Sequence, residues 1–143
     1  MFEAALQKVV YDRLSNFPGM PQVYDEDSVP QPSSAEDAAA FPYVTVGDTT
    51  AVPMNTDDST GAECTLAVHV WSRYHGYKEV RAIQALVYEA LNRKVEELRA
   101  GFAALSLHLL EIEWEFTEKS FIDADGVTRH GVQRFRVLLD ATT

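Results

Sequence analysis

The stretch 62–73 (AECTLAVHVWSR) alternates side-chain character without interruption, and this alternation constrains the fold more than any other feature of the chain. Successive side chains of a β-strand point to opposite faces of a sheet. Cys64, Leu66, Val68 and Val70 therefore share one face, and Thr65, Ala67, His69 and Trp71 share the other. The first set has no polar member and must be covered. The second is mixed and can meet water or a partner.

Two further stretches carry the same period. In 107–118 (LHLLEIEWEFTE), Leu110, Ile112, Trp114 and Phe116 are expected on one face and Glu111, Glu113 and Glu115 on the other. In 128–139 (TRHGVQRFRVLL), Phe135, Val137 and Leu139 oppose Arg134, Arg136 and Leu138. Asp123-Ala-Asp-Gly126 between them is turn chemistry, because aspartate and glycine accept the dihedrals of a hairpin loop. Residues 120–128 are expected to form a projecting tip. Pairing these strands would set the glutamate row against Arg134 and Arg136, worth a few tenths of a kcal/mol per exposed pair.

Helical spacing appears twice. Residues 2–16 place Phe2, Leu6, Val9 or Val10, Arg13 and Leu14 along one side, with Pro18 and Gly19 as the stop. From Lys78 to Val95, with an extension toward Arg99, Val80, Ile83, Leu86, Val87, Ala90, Leu91 and Val95 recur at intervals of three and four, and Gly101 is the expected end. All six prolines lie between positions 18 and 53. Residues 18–40 read as an extended, proline-rich acidic connection. A short buried strand follows at 42–46, with Pro42 at its start, and the polar run 47–61 is expected to be a mobile loop. The order helix–strand–strand–helix–strand–strand describes a single α+β domain spanning 1–143, with a mainly antiparallel sheet covered by helices on one face. The expected sheet core is Leu66, Val68, Val70, Ile112, Trp114, Phe116, Phe135 and Val137, packed against Ile83, Leu86, Val87 and Leu91.

The chain of 143 residues is long enough for a real core without a disulfide or structural metal. Cys64 is the sole cysteine and, inside an apolar strand pattern, reads as a small buried hydrophobe. No stretch approaches the length of a membrane span, and the start lacks the basic, then apolar, pattern of a signal peptide, so synthesis and retention in a cytoplasm are expected. The formal charge is −10, and it is unevenly spread: residues 1–70 hold 2 basic and 11 acidic side chains. That acidity disfavours general nucleic-acid binding.

Signatures of catalysis are missing. There is no glycine-rich nucleotide loop and no nucleophile elbow. His69, His75, His108 and His130 have no metal-binding spacing. Alternate glutamates 111, 113 and 115 are what a solvated strand face looks like, and carry no partner signature for acid–base work. No cofactor and no metal is expected. An enzyme would require a pocket that holds two or more of Glu111, Glu113, His108 and His130. Two clusters mix basic and aromatic side chains: Arg73, Tyr74, His75, Tyr77 and Lys78, and Arg129, His130, Arg134, Phe135 and Arg136. Such mixtures can stack bases, but they are also what anchors protein interfaces, and the acidic balance favours the second use.

Three stretches carry a family resemblance. They are His69-Val-Trp-Ser-Arg73 with Gly76 and the helix after it, the run from Asp123 to Arg136 (DADGVTRHGVQRFR), and Pro42-Tyr-Val-Thr-Val-Gly47 followed by a loop and Gly61-Ala-Glu. Together, over about residues 2–140, the chain resembles the tail completion proteins of tailed phages, also called tail terminator or head–tail joining proteins, with relatives in phage-like gene-transfer particles. The resemblance implies a non-enzymatic virion component. Such subunits form a hexameric ring on the head-proximal end of the tail tube, halting tube growth and presenting a surface to the head connector. It also implies assembly in a bacterial host, with self, tube and connector proteins as partners and DNA passing through the ring rather than being bound by it. A protein-binding adaptor or another connector component is the alternative. The matching residues Trp71, Arg73, Gly76, Arg129, His130, Gly131 and Arg134 would shape either the fold or the ring contacts; with Tyr74, His75 and Tyr77 the side chains among them make the expected interface set.

Overall fold

The computed structural model describes residues 2–25 and 41–141; most of the proline-rich segment, 26–40, lies outside the described residues. Helix α1 (Phe2–Ser15) leads into strands β1 (Gln22–Asp25), β2 (Tyr43–Pro53) and β3 (Gly61–Ser72). Helices α2 (Lys78–Leu91) and α3 (Val95–Ala103) follow, then β4 (Leu107–Thr117), β5 (Phe121–Ile122) and β6 (Arg129–Ala141). The sheet order is β1-β2-β3-β6-β4, with β5 also pairing β6. Every pair is antiparallel except β1 with β2.

The alternation in β3 sets one face of this sheet. Cys64, Leu66, Val68 and Val70 are fully buried, and Phe135, Val137 and Leu139 of β6 lie beside them. Val44 and Val46 of β2 continue the same face. All three helices cover it, through Leu6, Val10 and Leu14 of α1, Val80, Ile83, Val87 and Leu91 of α2, and Leu98 and Phe102 of α3. Leu86, expected in that set, is only half-buried and lies at Gly19 in the turn after α1. The mixed α+β architecture therefore holds, but the element order is richer than the simple alternation expected from the sequence.

Four boundaries differ, each for a tertiary reason. Strand β2 continues through the polar run to Pro53, so the long loop expected at 47–61 shrinks to residues 54–60. The ladder of β3 imposes this: Thr50 pairs with Thr65, Ala51 with Cys64 and Val52 with Glu63, after a register shift between Gly47 and Thr50. Asp48, at φ 50°, sits in that shift. Extension beyond its apolar start is a case of pairing overriding local preference. Second, residues 22–25 of the proline-rich connection form β1, with Val23 buried against the core.

The helix expected to run unbroken toward Arg99 is instead two helices, interrupted at residues 92–94. Arg93 takes a left-handed φ of 59°. The turn it makes serves the sheet edge. The Arg93 backbone N–H donates to the Ile112 carbonyl at 2.9 Å, and Trp114 N–H donates to Asn92 Oδ1 at 2.8 Å. These are the outward-pointing groups of edge strand β4, which would otherwise template pairing with another chain. Gly101 lies within α3 rather than ending it, because a Cβ there would stand 3.2 Å from Val9 Cγ1 of α1. Glycine lets the two helices approach.

The fourth difference concerns β4. The register slips between Leu109 and Glu111 and again between Trp114 and Phe116. Leu107, Leu109 and Ile112 are buried, whereas Leu110, Trp114 and Phe116 are exposed, at 41%, 41% and 43%. Trp114 and Phe116 are therefore not part of the core. A β-bulge places two residues opposite one and reverses the alternation beyond it. Phe116 now stands opposite Arg134, on the face away from the helices. Trp114 stays opposite Phe135 but lies at the outer edge, meeting Tyr88 of α2 edge-on at 6.0 Å.

Asn92→Ala removes one cap of the β4 edge while leaving the helices intact. We expect it to cost about 1 kcal/mol in urea denaturation, the usual worth of a hydrogen bond, and to speed exchange of the Trp114 amide selectively. Unchanged exchange at Trp114 would show that the turn does not protect the edge.

Candidate functional site

Among the described residues, no helix lies over the opposite face of the sheet. Residues of outward parity there come from every strand, and their rings form a row across it. Tyr24 meets Tyr43 edge-on at 5.6 Å, Phe41 lies 5.0 Å from Tyr43, and Tyr43 stacks on Trp71 at 6.1 Å. Trp71 and His130 stack at 3.7 Å and 15°, and Phe121 closes the row 4.7 Å from His130. The register explains the order: Tyr43 is opposite Trp71, Trp71 opposite His130, and His130 opposite Phe121. Cross-strand aromatic pairs of this kind stabilise a sheet and leave amphipathic rings at its surface.

A polar chain runs beside the rings. His69 Nε2 lies 2.8 Å from Asp48 Oδ2, and His69 Nδ1 lies 2.7 Å from His130 Nε2. A carboxylate can only accept, so His69 donates from Nε2; with both rings neutral, its Nδ1 then accepts the His130 Nε2–H. His130 Nδ1 then faces Asp123 Oδ1 at 3.8 Å. Burial, with His69 as its neighbour, pushes the His130 pKa down to about 4, so this imidazole is neutral at physiological pH. Burial, with Asp125 adding to it, raises the Asp123 carboxyl above its ordinary value. Asp125 is the reverse: hydrogen bonds from the Thr128 hydroxyl and from the Thr128 and Val127 backbone hold it at about 2. Those bonds build the turn joining β5 to β6.

The expected interface residues fall at three places. Trp71, Arg73 and His130 belong to the ring row, Trp71 donating to Thr45 Oγ1 at 3.3 Å and Arg73 lying 4.4 Å over Phe41. Tyr74 and His75 are exposed in the connection between β3 and α2, and Tyr77 caps the start of α2 beneath Arg81. Arg129 donates to the Val127 carbonyl at 2.9 Å within its own hairpin. Arg134 is held by Glu118 at 3.2 Å rather than by the glutamates of β4. Arg136 binds Glu63 at 2.7 Å and Glu111 at 3.5 Å. Arg73 also reaches Asp125 at 3.8 Å.

These pairings correct the expectation of a basic–aromatic surface. Arg73, Arg134 and Arg136 are each engaged by a carboxylate of their own subunit, and carboxylates outnumber cations around them. The face is aromatic and acidic. Sequence reading missed Asp48, Phe41, Tyr43 and Asp123 as its members; the outward parity of Tyr43 relative to Val44 and Val46 was the available signal. Gly131, in contrast, faces the helices, where a Cβ would lie 2.5 Å from Gln84 Nε2 and 2.6 Å from Val80 Cγ1. It is a packing position for α2 and no part of the open face.

Nothing in this arrangement is set up for bond-making. Among the described residues, no group of three or more His, Cys, Asp or Glu side chains is placed to hold a metal ion. Cys64 is fully buried, and burial raises its thiol pKa to about 11, leaving it inert as a nucleophile. Of the four residues whose meeting would mark an enzyme, Glu111 and Glu113 lie together on the open face of β4 beside Arg136, and His108 and Glu111 are at the opposite end of the sheet from His130.

Residues 8–140 match the family of the tail completion protein gp17. The chain belongs to that family. The tail completion protein gp17 of Bacillus phage SPP1 is 28% identical over 137 residues, covering 95% of this chain and 92% of that protein. The structure of bacteriophage SPP1 gp17 aligns over 95% of this chain and 89% of its own, with a TM-score of 0.55 and 27% identity. A chain from the virion of a native gene transfer agent particle shares the fold more closely, with a TM-score of 0.72 over 96% of both chains at 20% identity. Membership in the gp17 family makes this protein a non-enzymatic structural component of a virion tail.

Proposed function

We propose that copies of this protein close into a hexameric ring on the head-proximal end of a tail tube, stop tube growth and join the tail to the head connector. The observation that carries this reading is the family match over residues 8–140, supported by the nearly full-length similarity to SPP1 gp17. An open aromatic sheet face on a subunit with no catalytic arrangement is in keeping with a protein that works by contact. Self, tube protein and connector are its partners, and assembly takes place in the cytoplasm of a bacterial host.

The test uses tail tubes assembled without the protein. Such tubes should vary in length and fail to join filled heads; adding the purified protein should place a sixfold ring at one end and restore joining. Electron microscopy reads both. Rings found only on isolated heads would instead support a connector component, and tubes left bare and uniform in length would sink the proposal.

A further inference from the structure

Among the described residues the sheet is covered by helices on one side only, which gives the subunit two unlike surfaces facing opposite ways. The open face has a surplus of carboxylates at the end where β3, β6 and β4 run together. Arg136 is shared there between Glu63 and Glu111, and Glu113, opposite it in the ladder, pairs with Arg93 at 3.1 Å, so three carboxylates meet two arginines. On the helical side, α2 presents Lys78, Arg81, Ala82, Ala85 and Tyr88 outward, with Glu89 its one exposed acid, at the far end from Lys78. Neither Lys78 nor Arg81 has an ion-pair partner among the described residues, and the acid of that first turn, Glu79, is turned inward to accept from Ser72 Oγ at 2.7 Å. The other helices carry a net excess of acid on their exposed positions: Glu3 and Asp12 against Lys8 on α1, and Glu96 and Glu97 against Arg99 on α3. Ala82 and Ala85 leave the α2 surface low enough for another backbone to approach. Charge complementarity thus selects α2, out of the three helices, as the counterpart of the open sheet face.

We propose that in the ring the outward strip of α2 in each copy docks on the helix-free sheet face of the next, with Lys78 and Arg81 toward Glu63, Glu111 and Glu113. This rests on the ring reading above and names the contact that closes it. The two patches are different and lie on opposite sides of one sheet, so the contact is heterologous: each subunit uses both patches, and repetition in one rotational sense closes a ring without leaving a patch free. Opposite charge steers the encounter and fixes the register, while the rings of the open face supply apolar area to bury.

Two single-cysteine additions test it on tail tubes. Thr65→Cys stands opposite Arg136 in the ladder, and Ala85→Cys is one turn beyond Arg81. Native Cys64 is fully buried, so the parent sets the background. A short bismaleimide should give covalent dimers from capped tubes made with an equal mixture of the two variants, and none above background from either alone. Arg81→Glu, on an exposed helix position, should leave the melting temperature unchanged yet lower the fraction of capped tubes at least tenfold at low salt, and Glu111→Lys in the same chain should restore part of it. Sixfold rings that form without the mixed crosslink, crosslinks from a single variant as strong as from the mixture, or full capping by Arg81→Glu would each overturn the contact and leave the ring standing. Absence of rings with the parent protein would overturn the ring itself.

Discussion

Phe135→Ala should lower the unfolding free energy by roughly 3–5 kcal/mol, the usual cost of deleting a fully buried aromatic ring. Trp114→Ala, directly opposite it in the ladder, should cost about 1 kcal/mol. Their sequence patterns are alike, each ring lying in an alternating apolar row, and period alone puts both in the core. The structure separates them. Phe135 is fully buried between β3 and β4, opposite Leu66 on one side and Trp114 on the other. Trp114 lies beyond the helical cover, 41% exposed, its indole N–H donating to Thr117 Oγ1 at 3.0 Å and its ring touching Tyr88. Loss of Phe135 leaves a cavity that close-packed neighbours cannot fill, whereas loss of Trp114 removes half-solvated area. Urea denaturation of the two variants decides the matter. Equal destabilisation would mean that Trp114 is covered in the folded subunit and that the bulges in β4 lie elsewhere.

Acidification should destabilise the fold through His130 well before the carboxylates matter. Its folded pKa of about 4 is below the ordinary value of 6.5. The folded state therefore binds this proton less readily than the unfolded chain does. Above pH 6.5 the group is neutral in both states, and stability is at its full value. Between 6.5 and 4 only the unfolded state gains the proton, and stability falls, by about 3 kcal/mol in total for a depression of this size. Below 4 both states are protonated and this contribution levels off. The physical cause is local: the ring is buried against Trp71 and bonded to His69, so an added proton would place charge in a buried site beside a second imidazole. Asp48, Glu118 and Asp123 are the nearby carboxylates, and the first two act against the depression without cancelling it. His130→Phe keeps a ring against Trp71 but cannot titrate. It should start from a lower stability at pH 7, having lost the bond to His69, and then show a flatter profile between pH 6.5 and 4. Parallel profiles for parent and variant would assign the acid sensitivity to another group.

Much of the fold follows from local period. Side chains of one strand keep their parity as long as the ladder is regular, so the alternation from Cys64 to Trp71 is enough to place Leu66, Val68 and Val70 inside and His69 and Trp71 outside. The same holds for Phe135, Val137 and Leu139, and the three-and-four spacing from Val80 to Leu91 places the buried side of α2. Features that depend on a partner far along the chain leave no such mark. A bulge in β4 is decided by how its edge meets β6 and the turn at Asn92 and Arg93, and nothing in LHLLEIEWEFTE announces it. Residues 48–52, which open with Asp48, Thr49 and Thr50, become strand because β3 is long enough to pair with them. The open face shows the same division. Trp71 and His130 were legible as outward residues of two strands, but their stacking, the bond from His130 through His69 to Asp48, and the capture of Arg73, Arg134 and Arg136 by carboxylates of their own chain required strands to be brought together. Sequence by itself determined which side chains face which way wherever the element is regular, because that is a property of each element's own geometry. Tertiary structure alone decided where the elements end and which charges are already spoken for, because strand pairing and ion pairing join residues with no fixed separation along the chain.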